Sequence, residues 1–518
     1  MIPLGITNKW SSASANTAPN DSLGVSWIAK GLSSNEKHAR IAGLLMEVPK
    51  KSLTIEPADT TATPESRVAW YTGQENNNMK FVKSLLAAIP LLALAIDAKA
   101  YVSSQEAARL GSSLTSVGAE KAGNADGSIP PYNGGLTTAP SSFKTGDSMR
   151  PDPFADEKPV LVINARNVDS YKGMLTATTV ALAKRYPGFR LDVYPTHRTA
   201  SLPQAVLDNS RKNATGARSL NGGIAFDNVL PGVPFPIPQS GAEAMWNFLL
   251  RYQGVNIHSK YDSWSVDTAG VASLAVTGEA FVSFPIYENM SKPINNSDIY
   301  YQLKLSYTGP ARRAGESIML KNATNPLQRP GRAWQYLPAQ RRVKQISILA
   351  YDTPNPGTAR ALELYDWTLV GKQEMIVPYN TYKLTYARDA KSLTTPNFIS
   401  PDFVRWEKHR VYVVEGNLKA GAKHIYQKRR FYLDEDTWAA VASDQYDTSG
   451  QLYRGSFAFF SQSYDKQVPD ATPFMTYDLS KGTYNINGVV GPHGGIRYIE
   501  PLSIAQWVPE SMAGTGIR

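Results

Sequence analysis

The chain has 518 residues, enough for several average domains or for one large β-rich core. Hydrophobic residues make up 42% of it and charged residues 19%, which favours a folded globule over a disordered chain, and the absence of cysteine excludes disulfides and thiolate metal sites. The formal net charge is +10, but basic and acidic residues are interleaved without a long basic run, so we expect no nucleic-acid partner.

A pattern typical of a bacterial export signal begins inside the chain, at Met79. Lys80 and Lys83 form a basic start, residues 85–96 form an apolar run too short to span a bilayer, and Ala98-Lys99-Ala100 has the small-x-small pattern of a cleavage site. We therefore predict a signal peptide that is cleaved after its last alanine, and a periplasmic mature chain without a transmembrane segment.

This pattern divides the chain into three parts. Residues 79–100 are the predicted signal peptide. Residues 1–78 contain stretches rich in Ser, Thr, Asn, Ala and Pro and are predicted to be a disordered, non-native upstream extension. Residues 101–518 are predicted to form a single domain with a turn-rich N-terminal arm.

Helical signals are confined to the first part of this domain. Ser103 and Glu106 have the spacing of a capping box at the start of a short helix, and Gly123–Gly135 is a chain of turn residues. A β-type run at Pro159–Asn164 precedes two predicted helices, at Asp169–Arg185 and Leu202–Asn213.

The strongest helical pattern follows the segment Pro231–Pro238, which is rich in proline, a residue that breaks helices. Ala242, Met245, Trp246, Leu249 and Leu250 are spaced i, i+3, i+4, i+7 and i+8, which predicts a helix that buries one apolar stripe.

Beyond Tyr252 the apolar period changes to two. Tyr301, Leu303 and Leu305 alternate with polar residues, and turn residues separate similar runs. The pattern predicts an antiparallel meander of strands at Tyr301–Tyr307, Ser317–Lys321, Trp334–Leu337, Lys372–Val377, Tyr382–Tyr386, Arg410–Glu415, Ile425–Leu433, Trp438–Asp444 and Leu452–Ser461. We expect a mainly β (α+β) fold, in which one large curved antiparallel sheet forms an unclosed half-barrel and helices cover its concave face.

Motifs for nucleophilic catalysis, phosphate binding, zinc binding and dinucleotide binding are absent from the sequence, so we predict no catalytic residue, cofactor or metal. His197 and Arg198 pair an imidazole with a guanidinium and suit an anionic head group, or else form a structural turn bonded to backbone carbonyls. His409 and His424 lie on predicted neighbouring strands, either as a meeting pair or as independent hydrogen-bonding positions.

Several short sequence motifs of the mature chain, taken together, resemble the bacterial family called domain of unknown function 1329. They are Gly118-Ala119-Glu120, Asp126-Gly127-Ser128-Ile129-Pro130, Tyr194–Arg198, Pro234–Pro238, Arg312–Glu316, Tyr365-Asp366-Trp367 and Phe431–Asp436. That family is similar to the outer-membrane lipoprotein-sorting proteins with the LolA/LolB-like fold. The resemblance implies an open half-barrel with helices at its mouth and an apolar cavity for acyl chains. It brings no assigned catalytic residue.

The leading hypothesis is a periplasmic carrier for a lipid or another hydrophobic ligand, related to outer-membrane lipoprotein sorting or lipid trafficking. The alternatives are a hydrolase that uses His197 or His409 with a carboxylate, and a structural adaptor to an outer-membrane β-barrel or lipid-exporter partner. The predicted ligand contacts are apolar side chains of the helix and of one strand, with a basic pair for a head group: Trp246, Leu249, Leu250, Tyr301, Leu303, Leu305, His197 and Arg198.

Overall fold

The computed structural model describes residues 102–347, 355 and 361–515. The predicted extension at 1–78 and the predicted signal peptide at 79–100 lie outside the described residues. Within the described ranges the α-helices are α1 (Ser104–Ala107), α2 (Val168–Tyr171), α3 (Ala177–Arg185), α4 (Gln204–Gly216), α5 (Gly241–Leu250) and α6 (Tyr382–Thr385).

Twenty strands are formed by these residues: β1 (Leu161–Asn164), β2 (Arg190–Val193), β3 (Arg218–Leu220), β4 (Ala225–Asp227), β5 (Asn256–Val266), β6 (Ala272–Ser283), β7 (Ile299–Gly309), β8 (Ser317–Ala323), β9 (Arg332–Leu337), β10 (Arg342–Ile346), β11 (Tyr365–Pro378), β12 (Arg405–Leu418), β13 (Lys428–Asp434), β14 (Ala440–Tyr446), β15 (Leu452–Ala458), β16 (Ser461–Ser463), β17 (Val468–Asp470), β18 (Phe474–Asp478), β19 (Thr483–Val489) and β20 (Ile496–Tyr498).

Sixteen of these strands form one open sheet. Its order is β1-β2-β12-β13-β14-β15-β18-β19-β5-β6-β7-β8-β9-β10, with β11 also paired to β12 and β20 to β5. Most neighbours are antiparallel, whereas β2 and β12 pair in parallel over two residues. The prediction of a mainly β fold with a large unclosed sheet is confirmed, and the short parallel pairing makes the sheet mixed.

The sheet curls around a cavity. Seven strands that are consecutive in the sheet, from β14 to β7, contribute lining residues to one cavity. A flat sheet with strands about 4.8 Å apart would separate the first and last of these by about 29 Å. Curvature is therefore needed to bring them together, and it leaves a concave face that α5 enters.

Both faces of the sheet are covered. Adjacent residues of β12 point to opposite sides, so that Val414 joins the core on the concave face while Val413 joins a second core on the other face. The second core includes Val168 of α2 and Leu182 of α3. Only part of the helical content thus lies on the concave side, and the helix that enters it is α5.

Helix α5 is more deeply buried than its apolar stripe predicts. Every one of its residues except Glu243 is buried. The segment 217–238 covers its outer side: the Trp246 indole Nε1 donates to the Gly223 carbonyl at 2.9 Å, and the Asn247 amide bonds to both the backbone nitrogen and the backbone oxygen of Phe235. A second layer of chain therefore replaces the solvent that a surface helix would face.

The start of α5 rests directly on the sheet. Ser240 caps the helix by accepting a hydrogen bond from the Glu243 backbone nitrogen at 3.2 Å. A Cβ on Gly241 would lie 2.6 Å from backbone atoms of Trp367 and Thr368 in β11, so only glycine allows this approach. The predicted capping box of α1 is also present, because Ser103 and Glu106 bond each other's backbone nitrogens.

Two sequence expectations about local structure are wrong. The single helix expected at Asp169–Arg185 is divided, because Leu175 is extended and Thr176 caps a new helix through the Thr179 backbone nitrogen. The strand expected at Tyr382–Tyr386 is instead the single turn α6, since β11 has already ended before Asn380, which adopts a left-handed conformation (φ 51°).

Candidate functional site

The cavity on the concave face lies between α5 and the curled sheet and has a volume of about 240 Å³. Phe248 and Leu249 of α5 form part of its lining, and most of the rest comes from side chains of the seven strands. Alternation along β7 aims Tyr301, Leu303 and Leu305 at the same space. The enclosure is mainly apolar, which suits a hydrocarbon chain.

Six of the eight predicted ligand contacts belong to this side of the molecule. Leu249, Tyr301, Leu303 and Leu305 line the cavity itself. Trp246 and Leu250 are buried in the adjoining core, where the Trp246 indole packs edge-on against the rings of Phe226 and Tyr300. Their packing supports the position of α5 without contact with the cavity.

The sequence prediction missed lining residues on other strands. Ile257 of β5, Ala280 and Val282 of β6, Phe457 of β15 and Phe474 of β18 all contribute. The spacing of two residues between Ala280 and Val282 is a recognisable strand signal. The strand order that brings β14 and β15 to the same cavity as β7, however, depends on pairing between segments more than a hundred residues apart, which the sequence pattern does not reveal.

Polar groups form one part of the lining. Arg251 follows α5 and is held by the Phe248 carbonyl and the Gln253 amide oxygen, both at 2.7 Å. Asp470 accepts hydrogen bonds from Thr472 through one carboxylate oxygen, while its other oxygen is buried without a hydrogen-bond partner. Burial raises the pKa of Asp470. The cavity thus combines apolar walls with a cation and a buried carboxyl group.

A second, larger cleft of about 550 Å³ has both charged and apolar residues in its lining. Two guanidinium groups in its lining are already neutralised by neighbouring carboxylates: Arg150 lies 2.6 Å from Asp465, and Arg405 lies 2.6 Å from Glu157 and 2.5 Å from Glu407. Despite its size this cleft is the weaker candidate for a hydrophobic ligand, because any apolar occupant would desolvate charged groups.

His197 and Arg198 lie away from the apolar cavity. The His197 ring stacks on Phe154 with centroids 4.2 Å apart, and its Nε2 lies 2.6 Å from Glu157. Arg198 is buried and bonds to both oxygens of Asp436, to Glu435 and to the Glu120 carbonyl. These contacts give Arg198 a structural role, with its donors turned toward protein acceptors.

Arg198 belongs to a buried ion-pair network. We use this name for two groups of ion-paired side chains, from the N-terminal arm, the loop after β2 and the strands β11 to β13, which approach each other at His409, Asp434 and Asp436. The first group is Glu157, His197, Arg405, Glu407, His409 and Asp434, and the second is Glu120, Arg198, Lys372, Arg410, Glu435 and Asp436. Lys372 illustrates the linkage, since its ammonium lies 3.1 Å from Glu120 and 3.0 Å from Glu435.

The two histidines of the predicted β-strand region have separate surroundings. His409 is buried in the network, where its Nε2 lies 3.0 Å from Glu407 and its ring stacks on Tyr379. His424 instead accepts from the Tyr426 backbone nitrogen and lies against the Tyr365 ring. The structure therefore gives them the independent roles that the sequence left open.

Comparison with known proteins identifies the family. The model for "Protein of unknown function (DUF1329)" matches residues 162–513. The chain belongs to the DUF1329 family. A curated relative is the Uncharacterized protein PA3922 of Pseudomonas aeruginosa, which is 40% identical over 459 residues, or 85% of this chain and 100% of the relative.

Solved structures give weaker similarity. A DUF1329 family protein from Desulfovibrio piger is 13% identical, with a TM-score of 0.34 over 50% of this chain and 92% of that protein. The LolA superfamily protein NE2245 from Nitrosomonas europaea is 12% identical, with a TM-score of 0.32 over 53% of this chain and all of that protein. Among the described residues of this DUF1329 protein, no helix has both the length and the apolar character needed to cross a membrane.

Proposed function

We propose that this DUF1329 protein is a carrier that holds a single-chain hydrophobic ligand, such as a fatty acyl group, in the cavity beneath α5. The observation that carries the proposal is the partly enclosed, mainly apolar space between α5 and the curled sheet. Its volume of about 240 Å³ is just below the range of about 300–1,000 Å³ that is usual for small-molecule pockets. A single chain suits this volume better than a diacyl lipid does.

The composition of the lining supports an orientation for the ligand. The hydrocarbon would contact Leu303 and Leu305, whereas Arg251 offers a positive charge to a carboxylate head group. Asp470 lines the same cavity and would disfavour an anion when it is ionised. The export-signal pattern at residues 79–100 supports a periplasmic location for the carrier.

The hydrolase alternative has less support from the geometry. His197 and His409 each pair with a carboxylate, as a general base does, but in the described residues neither imidazole hydrogen-bonds to a serine or threonine hydroxyl. His409 is also buried, with 1% of its surface exposed, so a substrate would have no route to it without movement of the chain. Neither histidine lines the apolar cavity.

The proposal is tested by binding. The full chain, expressed with its export segment and purified from the periplasmic fraction, should release a co-purified acyl compound on solvent extraction and should bind a fluorescent fatty acid. Ala280→Phe adds a ring inside the cavity and should weaken that binding about tenfold or more. Val370→Phe adds the same ring at a position 47% exposed and should leave binding unchanged.

A second variant tests the orientation. Arg251→Met should weaken binding of the fatty acid but leave binding of its neutral methyl ester unchanged, because only the acid carries a charge for the guanidinium. If the wild-type protein contains no extractable lipid and binds neither probe, the carrier proposal fails. The adaptor hypothesis would then be preferred, and crosslinking in intact cells should trap a stable outer-membrane partner.

A further inference from the structure

Asp434 is a fully buried carboxylate, with 0% of its surface exposed, in the ion-pair network. One oxygen, Oδ2, accepts hydrogen bonds from the Thr437 backbone nitrogen at 2.9 Å and from the Thr437 hydroxyl at 2.7 Å. The other oxygen, Oδ1, is buried and has no hydrogen-bond partner. Within the described part of the chain, no lysine or arginine lies within ion-pair distance of this carboxylate, although arginines neutralise its network neighbours Glu435 and Asp436.

The unpartnered oxygen faces an imidazole nitrogen. His409 Nδ1 lies 3.9 Å from Asp434 Oδ1, which is too far for a hydrogen bond. Asp436 supplies a third group, and candidate ligand atoms of the three side chains all lie within 4.8 Å of one another. All three residues are at least 97% buried, since their exposed fractions are 1%, 0% and 3% for His409, Asp434 and Asp436.

The surroundings of His409 match those of a metal-binding histidine. Its second ring nitrogen, Nε2, lies 3.0 Å from the Glu407 carboxylate, and this contact favours the tautomer that keeps a lone pair on Nδ1. Glu407 is itself held by Arg405 and Asn380. Stacking of the Tyr379 ring at 3.6 Å fixes the imidazole plane. A carboxylate behind a ligating imidazole is the usual second layer of a metal site.

Asp436 keeps coordinating capacity although it is paired with Arg198. Each of its oxygens accepts one hydrogen bond from the guanidinium, and each carboxylate oxygen has two lone pairs. Metal–ligand distances of about 2.0–2.2 Å place the ligand atoms of a tetrahedral site about 3.3–3.6 Å apart. The His409–Asp434 contact of 3.9 Å would therefore shorten by a few tenths of an ångström, and the widest separation among the three groups by about 1 Å, to close them around one cation.

We propose that His409 Nδ1, Asp434 and Asp436 bind a structural divalent cation of the zinc or manganese class. One imidazole nitrogen with two carboxylates suits such a cation better than it suits calcium, which prefers oxygen ligands only. The cation provides the positive charge that Asp434 lacks, and it ties β12 to the turn after β13. It lies in the network, apart from the ligand cavity, and is independent of the proposed carrier function.

Sequence reasoning could not find this cluster. His409 has no partner at metal-ligand spacing in the chain, and the two aspartates lie 25 and 27 residues beyond it. Pairing of β12 with β13 in the register that sets Val411 opposite Asp434 brings the three residues together.

Metal analysis of the full chain tests the proposal. Protein purified without a histidine tag and without chelator should contain a stoichiometric amount of zinc or manganese by plasma mass spectrometry. Treatment with a chelator should lower the melting temperature by several degrees, and zinc or manganese, but not calcium, should restore it. Protein that contains no stoichiometric metal and shows no thermal shift with any of these ions would overturn the proposal.

A variant pair separates metal binding from general stability. Asp434→Asn keeps an acceptor oxygen for Thr437 but removes the ligand charge, so it should lose both the metal and the thermal response. Asp444→Asn alters another fully buried carboxylate, which bonds to Thr178 and Tyr432 outside the cluster, and should keep both. Equal metal content in the two variants would also contradict the assignment.

Discussion

The apolar cavity and the ion-pair network lie on different strands of one sheet and are assembled in different ways. The cavity is formed by alternate residues of many strands, such as Leu303 and Leu305, whose type repeats with a period of two. The network joins single residues from distant segments, such as Arg198 with Asp436, 238 positions apart. The cavity therefore tolerates the replacement of one wall residue, whereas each charge of the network depends on a specific partner.

The sharpest way to test this contrast is to remove one charge from the network. Arg198→Met should destabilise the protein by about 3–5 kcal/mol, because Asp436 would remain buried without its guanidinium partner. Urea denaturation of the full chain measures the loss. The control is Asp169→Asn, which breaks an ion pair whose side chains are 52% and 68% exposed and should cost no more than about 1 kcal/mol. Similar losses in the two variants would show that burial does not distinguish these pairs.

These two regions also differ in how far the sequence predicts them. The period of two identified β7, the period of 3.6 identified α5, and together they placed Leu249 and Leu303 in one cavity. The network could not be predicted from periodicity, because Arg198 and Asp434 belong to no periodic pattern. Strand pairing alone brings such residues close to their partners. Tyr382–Tyr386 shows the limit of periodicity. Its apolar residues alternate with Lys383 and Thr385, which suggests a strand, but β11 has already ended before the left-handed Asn380 and the segment forms a single helical turn.

A pair of cross-strand leucines tests whether the cavity is an open space. Leu303 of β7 lies opposite Leu320 of β8 in the register, but only Leu303 lines the cavity. Leu320→Ala should cost about 4 kcal/mol, since it empties a packed site, whereas Leu303→Ala should cost about 2 kcal/mol, since it enlarges a space that already exists. Urea denaturation with the two variants side by side measures the difference. If Leu303→Ala costs as much as Leu320→Ala, the cavity wall is as tightly packed as the core.

The smallest expected effect concerns the carboxyl group inside the cavity. Burial raises the pKa of Asp470, so the folded state holds this proton more tightly than the unfolded state, whose aspartate titrates near pH 3.9. The contribution of the protonated group is complete below the unfolded pKa and is lost as the pH rises through the folded pKa. Asp470→Asn keeps an oxygen for Thr472 but cannot ionise. Relative to wild type the variant should therefore gain stability between pH 4 and pH 8. Urea denaturation across this range measures the gain, and a difference that is independent of pH would mean that Asp470 is solvated rather than enclosed by the cavity.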